Sequence, residues 1–477
     1  MARSNAEHAD KSRNFFPAGF AVSAFNLICS RAVMSNRLGR LVPLVALAAG
    51  VLIAARLEGQ SRPLVAPGAA AFYQRLLPQI ARIKLFDHHA HPAFPDDPDV
   101  DIAPPPPGAT PVRLRAENPE TSAAARVLFG FPYSDMTGAH GKWLVDRKAA
   151  LKRRRPGAAY FNDILDRLGI ETSMANRVAM ADYLDPARFK WVFFVDCFMF
   201  PFDNSALERN PDLAVYMPLQ AKLLQRYAQQ LGQPSVLPPT FGDYLSFLRK
   251  TLEENKRRGG VAVKFEAAYF RSLSFGDPGG EAVEPIYQKY RGGGAPTIDE
   301  YTRFQDFIFR HLIIVASELK LPVHIHTSVG GGDYFNLRGV NVLNLEPVVR
   351  DPKHRLTTFV LIHVGYPYDR EAILLASMKN VYIVSSATEL MLYPTEFKNV
   401  LRRWLETYPE KVTFGTDAFP YNESLGVEEV YWMGVHTSRT ALAAALAEMI
   451  ADREISESKA LAIAHGYLHD NAAALYK

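Results

Sequence analysis

Eight short apolar runs, nearly all divided by stretches with helical spacing, restrict this chain to very few architectures. The runs are 83–89 (IKLFDHH), a segment around 170–180, 191–197 (WVFFVDC), 261–265 (VAVKF), 321–326 (LPVHIH), 358–363 (TFVLIH), 381–385 (VYIVS) and 412–416 (VTFGT). Helical patterns fall over 158–168, 211–231, 240–257, 299–319, 344–350, 369–378 and 395–407, and two more, 427–451 and 457–475, close the chain. A further helical stretch over 67–82, interrupted at Pro78, leads into the first run. Repeated strand-then-helix units imply parallel pairing through right-handed crossovers. Eight of them is the number that closes an α/β barrel of the (β/α)8, or TIM, type. An open doubly wound sheet is the alternative, but it calls for a glycine-rich phosphate turn after its first strand. Here that turn is Asp87-His88-His89-Ala90-His91-Pro92.

The rhythm breaks over 92–160. A proline-rich tract (DDPDVDIAPPPP, 96–107) can be neither core strand nor helix, and 118–161 reads as polar helix. This is a long helical insertion after strand 1, in the place where loops carry function. The chain therefore divides into 1–62, an N-terminal extension, and 63–477, the barrel with its insertion. Within the extension the uncharged run 41–55 follows Arg37 and Arg40, the layout of a secretory signal, with Met34 at the place where such a peptide begins. The run is shorter than the ~20 residues of a spanning helix, so cleavage and N-terminal membrane anchoring both stay open. Either implies an exported protein, periplasmic or membrane-anchored.

Of the 477 residues 48% are hydrophobic, enough for a large core, and a formal charge of +4 gives no argument for nucleic acid. Only Cys29 and Cys197 are present, so metal, if bound, takes histidine and carboxylate ligands.

In a barrel of this kind the active site lies at the C-terminal ends of the strands. Those ends carry His89 and His91 on the first, Lys264 on the fourth, His326 (with His324 two residues deeper) on the fifth, His363 on the sixth and Asp417 on the eighth. His89 and His91, at i and i+2, share a face of an extended strand, which puts His88 on the opposite one. Neutral imidazole and carboxylate suit Zn²⁺, and also Fe²⁺ or Mn²⁺. Three or four such ligands with an open position make a catalytic site, whose ion lowers the pKa of bound water to about 7. Asp417 is placed to take that proton and return it to a leaving group.

These motifs resemble the amidohydrolase superfamily of metal-dependent hydrolases. They are DHHAHP from Asp87, VAVKFEAAYFRSL from Val261, HIHTS from His324, LIHVGYPYDREA from Leu361, FGTDAFP from Phe414 and the terminal DNAAALYK from Asp470. The likeness is greatest to the amidohydrolase-related branch, which includes the domain fused to glutamine synthetase-type proteins. The resemblance implies a divalent metal held by His89, His91, His326 and Asp417, with His363 as a ligand or a carbonyl-polarising donor. It also implies two readings of Lys264. Carbamylated, it bridges two metals; unmodified, it pairs with Glu266 or a substrate carboxylate, leaving one ion. Ser328 stands where the branch usually has glycine, and His324 where it often has glutamine.

Tyr269, Arg271 and Glu389 are candidate substrate contacts, Arg271 for an anionic group. His436, His465 and His469 lie on the closing helices and read as structural. The chemistry expected is a metal-dependent hydrolase cleaving a C–N or C–O bond (amide, ester or lactone) of a small molecule. The alternatives are a decarboxylase or lyase acting on a small carboxylate, or a barrel kept for binding alone. Homo-oligomerisation stays open, and the composition of the loops does not name a substrate.

Overall fold

All eight apolar runs become strands of one parallel sheet: β1 (Leu85–Ala90), β2 (Ile170–Asn176), β3 (Phe189–Phe194), β4 (Gly260–Phe265), β5 (Val323–His326), β6 (Phe359–Ile362), β7 (Val381–Val384) and β8 (Val412–Thr413). They are ordered β1 to β8 in a computed structural model that describes residues 63–99, 110–328, 332 and 334–477. The run 41–55 and everything else in 1–62 lie outside the described residues, as does most of the proline-rich tract. No helix among the described residues is long and apolar enough to cross a membrane.

Every paired neighbour is parallel. The ring closes just past β8, where His88 N–H donates to Phe414 O at 3.0 Å, Asp417 N–H to His89 O at 2.7 Å and His91 N–H to Ala418 O at 2.7 Å. This is a (β/α)8 barrel, and its strands are largely buried on both faces because helices cover the outside. β5 and β6 are buried at every position.

The insertion is helical as its sequence predicts, over Pro119–Phe129 and Gly138–Arg154. Asn118 caps the first of these by accepting from Glu120 N–H, and Gly130 ends it at φ +70°, a conformation glycine adopts without strain. The second of these, through Lys148, and the next helix, Ala159–Leu168, through Tyr160, are tied to a buried pair of carboxylates. Lys148 donates to Glu429 Oε2 at 2.6 Å and Glu428 Oε2 at 3.3 Å, while Tyr160 O–H donates to Glu428 Oε1 at 2.6 Å. Glu428 and Glu429 open the 25-residue helix Val427–Ala451, which packs on Pro394–Thr407, Ala70–Ile80 and Pro119–Phe129.

Two elements depart from the sequence reading. A helix over Gly280–Tyr290 fills a stretch that carried no expected element, its pattern masked by Gly279, Gly280 and the internal Pro285. The closing helix is not continuous: Glu457–His465 gives way to a wider π turn over Gly466–Asp470, then short turns to Tyr476. That change of pitch carries the terminal segment beneath the barrel. Ala472, Ala473 and Tyr476 pack on Phe86, Met174, Val192 and Ala262, one from each of β1 to β4. Leu475 packs on Val360, Ile362 and Val384.

Candidate metal centre

At the opposite end of the barrel, β1 delivers its two histidines through a break in its own pleat. The pairing of β1 with β2 shifts register between Asp87 and Ala90. His89 Nε2 lies 3.3 Å from Lys264 Nζ on β4, and the His88 ring lies 5.2 Å from the His324 ring on β5. Neither β4 nor β5 neighbours β1, so the consecutive residues His88 and His89 both face the barrel axis. This corrects the alternation expected of a regular strand, which puts His88 on the other face. His88 sits one layer deeper, with Nδ1 2.9 Å from Thr413 Oγ1 and Nε2 2.6 Å from Tyr476 O–H.

Asp87, by contrast, points out between strands and carries a role that the sequence reading missed. Its carboxylate accepts from Ser173 Oγ at 2.7 Å, Thr416 N–H at 2.7 Å and Thr416 Oγ1 at 3.1 Å. It thus joins β2 to the segment beyond β8 and fixes the residue preceding Asp417. Burial pushes its pKa up to about 7 despite these three donors. The sequence offers the acid of the DHHAH motif as a signal, but no spacing says what it holds.

Asp417 Oδ1 is 3.1 Å from His89 Nε2 and 3.6 Å from His91 Nε2, and one ligand atom from each of the three lies within 4.8 Å of the others. Tetrahedral ligands at about 2.1 Å from an ion stand ~3.4 Å apart, so these separations fit a divalent cation. The donor set fits too. His89, His91 and His326 are buried, and burial first, then neighbouring positive charge, holds His89 and His326 well below the ordinary imidazole pKa. His91 is lowered by burial to about 3, Asp417 opposing. All are therefore neutral, the form that binds metal. His326 Nε2, its remaining ring nitrogen, is buried with no hydrogen-bond partner, a cost that a site built only for packing would avoid.

His363 and His326 form a pair beside this triad. His363 Nδ1 is 2.9 Å from Ser386 O, which only accepts, so Nδ1 carries the proton. Its Nε2 is then a lone pair, 3.1 Å from His326 Nδ1, which must donate. His326 in turn presents a bare Nε2. The His363 ring stands 5.2 Å from that of His89 and 4.5 Å from that of His326.

The backbone here is held in the left-handed region at Ser328 (φ 85°), His363 (69°), Val364 (51°), Ala387 (63°) and Asp417 (51°). These non-glycine residues follow β5, β6, β7 and β8, so the strain gathers on the rim that carries the ligands. Part of what holds it is visible: Thr327 Oγ1 donates to Ile362 O at 2.6 Å and accepts from Gly365 N–H at 2.9 Å.

The other expected residues separate. Lys264 belongs to the cluster through His89. The Tyr269 ring lies 4.4 Å from that of His326, with Tyr216 and Phe335 beyond it, and forms an aromatic side of the site. Glu389 is fully buried with neither carboxylate oxygen hydrogen-bonded; burial and then the charge of Asp417 push its pKa well up. Arg271 is not brought to the cluster. Its guanidinium donates to Asp306 Oδ1 at 2.7 Å, Gln305 Oε1 at 3.0 Å and Ser274 O at 2.9 Å. Those acceptors occupy the fork that was to hold a substrate anion. His324, bonded through Nε2 to Tyr476 O–H at 2.6 Å, lies below the triad. His436 stacks on Trp432, and His469 meets Glu171 and Asp470, away from the site.

Comparison with known proteins agrees with this architecture. The family model described as amidohydrolase matches residues 288–477, the part bearing His326, His363 and Asp417. Protein fluG of Emericella nidulans is 28% identical over 160 residues, which is 33% of this chain and 17% of that protein. Among solved structures, glucuronate isomerase from Caulobacter crescentus superposes with TM-score 0.60 at 14% identity, over 88% of this chain and 97% of the other. Uronate isomerase from Thermotoga maritima gives 0.57 at 13%, over 88% and 99%. A protein described as a metal-dependent hydrolase from Lactobacillus casei gives 0.56 at 16%, over 84% and 97%. At such identities these structures speak for the fold.

Proposed function

We propose that this chain, which matches the amidohydrolase family model over residues 288–477 and folds as a (β/α)8 barrel, is a metal-dependent enzyme of that superfamily and hydrolyses a C–N or C–O bond of a small molecule at the His89–His91–Asp417 centre. The observation that carries this reading is the position of Asp417, whose Oδ1 lies against both His89 and His91 while its residue starts the rim segment after β8. A divalent ion held there supplies an acidified water and polarises a carbonyl.

The protein's own groups have separate tasks. Asp417 accepts a proton from the attacking water and passes it to the departing nitrogen or oxygen. His89 and His91 would hold the ion through Nε2, the nitrogens that face Asp417. Ser386 O holds the His363 proton on Nδ1, so that Nε2 accepts from His326 Nδ1–H; His363 then has no proton to give an oxyanion, and His326 Nε2 is left as the lone pair available to an ion. Zinc is the ion this donor set favours, with Fe²⁺ or Mn²⁺ as substitutes. Tyr269 lines the substrate side, and the commitment of Arg271 to Asp306 argues for a substrate without a carboxylate at that position.

The test is a panel of amides, esters, lactones and aromatic carboxylates offered to metal-loaded protein, with products identified. The reading expects hydrolysis products from at least one amide, ester or lactone, abolished in Asp417→Asn. Release of CO₂ from a carboxylate, or isomerisation of a sugar acid, without hydrolysis of any member would overturn it.

A further inference from the structure

The motif DNAAALYK that ends the chain is used by nothing in the chemistry above, yet its tyrosine reaches the layer directly beneath the ligands. Tyr476 O–H lies 2.6 Å from His88 Nε2 and 2.6 Å from His324 Nε2. Both histidines are fully buried, and their strands, β1 and β5, stand on opposite sides of the barrel. One hydroxyl therefore spans the barrel axis. Its ring is fixed from the side by Phe86, stacked at 5.9 Å and 9°.

The proton positions follow from the partners. Thr413 Oγ1 donates to Ile383 O at 3.1 Å, so toward His88 Nδ1, at 2.9 Å, it acts as acceptor. His88 then carries its proton on Nδ1 and offers a lone pair at Nε2. Tyr476 has one proton, which goes to that lone pair. Its oxygen must accept from His324 Nε2–H, which leaves His324 Nδ1 as a bare lone pair, buried and without a partner. The chain His324 to Tyr476 to His88 to Thr413 to Ile383 O is thus ordered in one direction, with each tautomer set by the next acceptor.

Each histidine in this chain adjoins a ligand. His88 precedes His89 in the irregular part of β1, His324 precedes His326 by two on β5, and His324 is the register partner of Lys264. We propose that Tyr476 is a positioning residue for the metal centre: by pinning β1 to β5 from below, its hydroxyl sets the separation of the His89–His91 pair from His326. This rests on the reading of the triad as a metal site.

The test compares Co²⁺ binding by wild type, Tyr476→Phe and Leu475→Ala, using titration against a chelator and the visible spectrum of the bound ion. Tyr476→Phe keeps the ring and deletes only the hydroxyl; the expected result is a roughly tenfold or greater rise in the Co²⁺ Kd with a shifted spectrum. Leu475→Ala removes packing from the same segment without touching either histidine, and is expected to lower the melting temperature with Kd and spectrum unchanged. Equal Kd and spectrum in Tyr476→Phe and wild type would overturn the proposal even if the variant melts earlier, and so would equal weakening by Leu475→Ala. If Tyr476→Phe fails to fold, Thr413→Val, which removes the acceptor at the far end of the chain, carries the same expectation and the same refutation. Wild type that binds no Co²⁺ would refute the metal-site reading itself and the proposal with it.

Discussion

Replacing Arg113 by methionine should loosen the metal centre from a distance, and the structure says by how much. Arg113 lies in the insertion and is buried to 2% exposure. It donates to Glu389 O at 2.6 Å, to Leu392 O, to Thr437 Oγ1 at 2.9 Å and to Glu120 Oε2 at 2.7 Å. Methionine fills much of the space but leaves two main-chain carbonyls and a hydroxyl without their donor, at ~1–3 kcal/mol for each buried group. Glu120 is 24% exposed and recovers water, so its share is small. The total comes to roughly 3–9 kcal/mol. For a unit of about 410 residues, with unfolding entropy of ~2 cal/mol/K per residue, that is a fall in Tm of roughly 4–11 °C. The effect should also reach the site, because the segment that Arg113 clamps begins three residues after Ser386, whose carbonyl fixes His363. The assay is calorimetry with metal titration on the same samples. A Tm within about 1 °C of wild type would refute the count of stranded groups, and a lowered Tm with unchanged metal affinity would refute the link to His363.

Two further outcomes follow from the same structure. Lys148 faces two carboxylates and so leaves one of them to keep a proton; burial raises Glu429 from 4.5 to about 7, with Lys148 opposing. A carboxyl raised on folding adds stability that is complete below its unfolded pKa and lost as pH climbs through the folded one. Wild type should therefore lose Tm relative to Glu429→Gln between pH 4.5 and about 7, and a parallel pair of Tm-against-pH curves would contradict this. Gly415→Ala should damage both fold and site, since a Cβ there would lie 2.8 Å from Val384 Cγ1 and 3.2 Å from His89 N. We expect a loss of about 1–3 kcal/mol together with weaker metal binding, and unchanged values of both would show that β1 and the segment after β8 are less closely opposed than described.

The barrel was legible because most strands lie within short, largely apolar runs, a signal that needs no long-range information; β5 to β8 fall where those runs lie. The candidate ligands could be grouped because strand ends share one rim, so five distant histidine and carboxylate positions were assigned to it together. What the sequence could not carry was set by contacts between distant segments. The broken pleat that turns both His88 and His89 inward arises from the β1–β2 register shift, which residue types do not encode. Nothing in the sequence singles out Arg113 or Lys148, and only partners some 280 residues away make them buried anchors. Arg271 shows the converse, since its position near a motif favoured a substrate role and Asp306, 35 residues on, claims it.

The central claim is that His89, His91 and Asp417 hold a divalent ion on which activity depends. Elemental analysis of protein expressed with ample metal tests it most directly, comparing wild type with His89→Ala/His91→Ala. The account predicts at least one transition-metal ion per wild-type chain, removed by chelation together with activity and restored with it, and a folded double variant that holds none. Metal-free wild type with full activity, or a double variant that keeps both ion and activity, would contradict it.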